Sequence, residues 1–133
     1  MLSLSDAASI DAALTTQLDP RLRVMIEQRL ASARDNGLAD MTHIVVVQAG
    51  DTEADIVAEI GWSPLVNPID GRRFGEPGFV APWDWLQRHA GWHEMVVTVG
   101  NSGFAFILFI EDAPDTDPEL LELCRAHAKL RRE

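Results

Sequence analysis

Disulfide scaffolding is out of reach for this chain, because its one cysteine, Cys124, has no internal partner. No N-terminal stretch joins basic residues to an apolar run of signal-peptide length, which makes a cytoplasmic location the expectation. Long apolar runs are also missing. The longest, Phe104 to Ile110, falls far short of the roughly 20 residues that cross a bilayer, so a soluble protein with no membrane partner is expected. Basic residues are in the minority, 11 against 21 acids, for a formal charge of −10. Residues 1–40 balance at −2, residues 41–112 at −7 and the remainder at −1, and the middle segment has only Arg72, Arg73 and Arg88 to offset its acids. Such a surface repels phosphate, which argues against direct binding of nucleic acid or anionic lipid. Internal repeats and low-complexity tracts are absent as well.

What is present suffices for one core. At 133 residues and 47% hydrophobic, the chain reads as a single domain, 1–133, that needs neither metal nor cofactor to fold. Its most legible stretch runs from Glu94 to Ile110. Met95, Val97 and Val99 alternate with Glu94, Val96 and Thr98, the period-two pattern of a strand with one better-buried face. Phe104 to Ile110 has no polar residue, so both faces must be covered and the strand must be central. Gly100-Asn101-Ser102-Gly103 supplies the turn that pairs the two arms as a hairpin. Ile44 to Val47 is a further interior strand. The fold class is therefore α+β: a largely antiparallel sheet of at least three strands, about 44–48, 94–99 and 104–110, flanked by N-terminal and C-terminal helices.

The helices are read from capping chemistry and apolar spacing. Ser5 or a neighbour caps a first helix with Ile10, Leu14 and Leu18 on a narrow stripe, suited to the outside of the fold or to a second subunit, and a homodimer through N-terminal helices follows as one expectation. Asp19-Pro20 starts a second helix carrying Leu22, Met25, Ile26 and Leu30, which stops at Asn36-Gly37; together these make 1–40 a helical segment. Residues 52–60 fit either a short helix, with acids in its first turn, or an edge strand. Pro82 opens a short helix through Trp83, Trp85, Leu86 and His89 that Gly91 closes. Asp117-Pro118 starts the last helix, with Leu120, Leu123, Cys124, His127 and Leu130 inward.

Between these elements, residues 62–82 form a long irregular loop dense in Pro and Gly turn signals, with Leu65-Val66 and Phe79-Val80 as its extended pieces. All four tryptophans, Trp62, Trp83, Trp85 and Trp92, flank it. Indoles combine apolar area with a polar handle and are enriched in binding surfaces, although they also serve as wedges under irregular loops. With Asp70, Arg72, Arg73, Phe74, Glu76, Asp84 and His89 they compose an aromatic-anchored, polar-rimmed region, and the leading expectation is a small acidic protein that binds a protein or peptide there without catalysis. A rival places hydrolytic or metal-assisted chemistry at Asp84, His89, His93 and Glu94, although Gly91 separates the two histidines from a shared helix face. A third reading, drawn from the acidic middle, is a nucleic-acid mimic that occupies a DNA-binding partner. Cys124 with His127 reads as packing in a leucine stripe and Ser102 as a turn former, so neither is a nucleophile.

Overall fold

In the computed structural model, residues 2–4, 19–35, 42–81, 83–89, 91–99 and 104–128 are described. Chain order runs β1 (Leu2–Leu4), α1 (Pro20–Asp35), β2 (Thr42–Val47), α2 (Glu53–Ile60), β3 (Trp85–His89), β4 (Trp92–Val99), β5 (Phe104–Glu111), α3 (Pro118–Ala128). The five strands make one sheet in the order β1-β2-β5-β4-β3, which puts the all-apolar strand in the middle. Three of its pairings are antiparallel. The fourth, β2 with β5, is parallel, with Ile44 opposite Ile107 and Val46 opposite Phe109. This is the expected α+β single-domain fold with two strands more than the minimum.

Alternation divides the strands between two cores. On one face Leu4, Ile44, Val46, Ile107, Phe109 and Trp92 pack under Leu22, Met25, Ile26 and Leu30 of α1. On the other, Val45, Val47, Leu86, Met95, Leu108 and Ile110 meet Ile56 of α2, Leu65 of the loop, and Leu120, Leu123 and Cys124 of α3. β5 thus feeds both layers, and Ile107 to Ile110 are all buried. His127 and Leu130, expected on the same stripe of α3, lie outside the described side chains.

Local chemistry accounts for the helix boundaries. The Asp19 carboxylate accepts the Arg21 amide at 2.9 Å, capping α1 as expected. The ambiguity at 52–60 resolves as a helix because Thr52 and Asp55 form a reciprocal capping box and Gly61, at φ 83°, closes the far end in the left-handed region. The expected helix from Pro82 to Gly91 is a correction. Residues 85–89 are instead strand β3, and the chain reverses between the paired residues His89 and Trp92. A proline followed some residues later by a glycine punctuates a strand and tight turn as readily as a helix, and here Leu86 gains full burial by pairing beside Met95. The loop differs in detail too. Of the expected extended pair Leu65-Val66, Leu65 lies in a turn closed by the Val66 amide on the Ser63 carbonyl and only Val66 pairs, in an isolated bridge to Arg73, while Phe79-Val80 joins no strand. The expected helix at about 5–18 and the turn at 100–103 lie outside the described residues.

Candidate functional site

Arg73 fixes the long loop to the body. Its guanidinium donates to both oxygens of Glu53 on α2, at 2.9 and 2.7 Å, and to both of Glu119 on α3, at 3.1 and 2.6 Å. These bonds raise the Arg73 pKa further, and Arg73, aided by Ser63, holds the Glu53 carboxyl below its ordinary range. Aromatic contacts continue the anchoring, with Phe74 edge-on to Phe79 at 5.9 Å and Phe79 tilted against Trp83 at 6.4 Å. Arg72 folds back on its own turn, its amide to Asp70 and its Nη1 to the Gly78 carbonyl at 3.2 Å. Gly78 has φ 80°, and a Cβ there would meet the Arg72 guanidinium, so the close approach requires glycine. Glu76 is exposed in the same turn.

Beneath this braced loop lies an apolar groove of about 660 Å³. Ile60, Trp62, Val97 and Phe106 line it, with the Trp62 and Phe106 rings edge to face at 5.7 Å. Ile69 and Val80 form its lips and are 94% and 62% exposed. One residue sets the distance between those lips. Buried Asn67 accepts the Ile69 amide through Oδ1 at 2.8 Å and donates through Nδ2 to the Val80 carbonyl at 2.7 Å. Sequence reasoning took Asn67-Pro68 for a turn and missed this strut. The only local signal is that Asn side chains mimic backbone at turns, which leaves the second partner unspecified. Asp84 stands at the rim, accepting the amide and hydroxyl of the lining residue Thr98, both at 2.7 Å.

The four tryptophans do not form one patch. Trp62 faces the groove and Trp83 packs behind it, whereas Trp85 and Trp92 belong to the opposite face of the sheet. Trp92 is 3% exposed, its Nε1 donating to Asp19 at 3.2 Å. Trp85 donates to Gln87 at 3.0 Å and has the Arg29 guanidinium 4.5 Å above its ring.

Asp84, His89, His93 and Glu94 likewise separate. Strand alternation puts His89 and Glu94 together on the α1 face, with His89 Nε2 3.0 Å from the carboxylate and Arg29 bonded to it from above. His93 points the other way, fully buried, with Nε2 3.3 Å from Asp112 but too misaligned for a hydrogen bond. Burial pushes the His93 pKa down, against the opposing pull of Asp112. Asp112 is itself met by Arg125 at 2.9 Å and Arg88 at 3.7 Å. Among the described residues no group of three or more His, Cys, Asp or Glu is placed to hold a metal ion. Burial drives the Cys124 thiol up to about 12, which leaves it protonated and unreactive at neutral pH. No family model, no curated protein and no solved structure matches the chain. Among the described residues no helix is long and apolar enough to cross a membrane.

Proposed function

We propose that this protein is a non-catalytic binding module that takes a segment of a protein partner into the groove beneath the 62–82 loop. The reading rests on Ile69, 94% exposed at the lip of an apolar groove of about 660 Å³. Leaving a large aliphatic side chain in water has no benefit to the fold, and Asn67 nonetheless fixes its backbone in place. The groove is of a size that accepts one or two large apolar side chains.

Rim charge supports a choice of partner. Asp70 follows Ile69 directly, Asp84 bonds the lining residue Thr98, and Glu59 precedes Ile60 and acts on His43, which packs on Phe106. Arg72, in the same loop, is turned to a backbone carbonyl. A segment with apolar anchors and flanking lysine or arginine complements this rim.

The test uses an array of immobilised peptides carrying apolar anchors, with and without flanking lysines, probed with wild type and Ile69→Asp. Because Ile69 is so exposed, the substitution shifts stability by no more than about 0.5 kcal/mol, so lost binding reports on the groove rather than on folding. Wild type is expected to retain basic-flanked peptides in a salt-sensitive manner, and Ile69→Asp to bind them about tenfold less well. Equal retention of every peptide by the two proteins would sink the reading.

A further inference from the structure

On the face of the sheet opposite the groove, a cleft of about 280 Å³ opens between α1 and the β3–β4 hairpin. Glu94 lines it, 3% exposed, in a register position beside Phe109 and, beyond that, Val46. An apolar side chain there would complete the core with no charge to desolvate, and such replacements are often stabilising. A carboxylate stands there instead. Burial pushes it toward the neutral form, but the bonds from Arg29 and His89 outweigh that and keep it ionised below its ordinary range.

The surrounding groups are left with unused capacity. An ionised carboxylate only accepts, so His89 Nε2 carries a proton, and where that is the ring's single proton Nδ1 is an acceptor. Among the described residues Arg29 makes its hydrogen bond through Nε alone, which leaves the donors of both Nη groups unused. Both residues line the cleft, with Met25, Trp85 and Gln87. The helix above is also the cationic one. α1 carries four arginines against Glu27 and Asp35, whereas α2 has three acids and no base, and α3 two acids and one arginine. In a chain of net charge −10, the positive helix lies over this cleft.

We propose that the cleft is a second site, which binds a small oxyanion that also carries a hydroxyl: the oxyanion pairs with the two Nη groups of Arg29, and the hydroxyl donates to Nδ1 of His89. The full chain is titrated with two matched pairs of probes, glycolate against acetate and hydrogen phosphate against sulfate, following tryptophan fluorescence and the His89 ring resonances. Only the first member of each pair has the hydroxyl. In wild type at least one pair saturates, with its hydroxylated member binding more tightly, and which pair does so separates a carboxylate from a phosphate ligand. Arg29→Lys keeps a cation for Glu94 but loses the planar fork, and binding weakens about tenfold. His89→Lys, at a half-buried position, still donates to Glu94 but has no acceptor, and the preference for the hydroxyl disappears while oxyanion binding persists. Should Arg29→Lys fail to fold, His89→Lys decides alone. The proposal is overturned if neither pair saturates in wild type, if folded Arg29→Lys binds as wild type does, or if the hydroxyl preference survives in His89→Lys.

Discussion

His93 is a fully buried imidazole, and the Asp112 carboxylate, 3.3 Å from its Nε2, is out of line for a hydrogen bond. Burial lowers its pKa in the fold, so as pH falls below the ordinary value of 6.5 the unfolded chain takes up a proton that the folded protein refuses. The unfolded state then binds more protons, and stability drops with falling pH through that window. His43, also lowered mainly by burial, adds in the same direction. Paired carboxylates follow lower down: Glu53, Glu94 and Asp112 are all held below their ordinary values, and their contribution is lost as pH falls through the usual carboxylate range. His93→Leu should therefore lose less stability than wild type between about pH 7.5 and about pH 5.5, as urea unfolding at the two values would reveal. A difference as large as that of wild type would acquit His93. At this scale the sequence was legible only in part. Cys124 reads correctly as packing, since leucines at helical spacing around it suffice to infer burial. Asn67 and Arg73 do not, because what they grip is distant along the chain: the Val80 carbonyl across the loop for Asn67, and Glu53 on α2 and Glu119 on α3 for Arg73.

Among the elements, the loop is held to the body by side chains rather than by strand pairing, with Leu65 in the core and Ser63 bonded to Glu53. It also carries the bridge from Val66 to Arg73, the aromatic contacts of Phe74 and Phe79, and the four-bond clamp of Arg73. Arg73→Met removes the clamp and leaves two carboxylates facing each other without a cation. Limited proteolysis with thermolysin should then cut between 66 and 80 several-fold faster than in wild type, with the sheet intact, because local opening scales with the contacts that hold a segment down. Unchanged cleavage would mean that the aromatic contacts alone secure it. The β4–β5 pair was plain from sequence because alternation in one arm and an unbroken apolar run in the other are two independent marks of strands. β3 was not, because five residues between a proline and a glycine carry too little periodicity to separate the two states. β1, at three residues, carries none.

For the molecule as a whole, the central strand β5 feeds both hydrophobic layers, as β2 and β4 beside it do. Leu108 enters the core beneath α2 and α3, and its neighbours Ile107 and Phe109 enter the one beneath α1. Leu108→Ala should cost about 2–5 kcal/mol in denaturant unfolding, a large share of what a domain of this size possesses. A loss below about 1 kcal/mol would show that the position collapses around the gap. The α+β class followed from the sequence because the apolar run had to be covered on both sides, and that requirement does not depend on where any loop goes.

The parallel joining of β2 to β5 has a consequence in time. Ile44 and Ile107 are far apart along the chain, while β3, β4 and β5 follow one another and pair in succession. Closing the longer circuit costs more chain entropy before any contact repays it, so the three-stranded meander should assemble early and the N-terminal strands dock last. In refolding, substitutions at Val45 or Val46 would accelerate unfolding and leave the forward rate nearly unchanged, whereas Met95 would govern the forward rate.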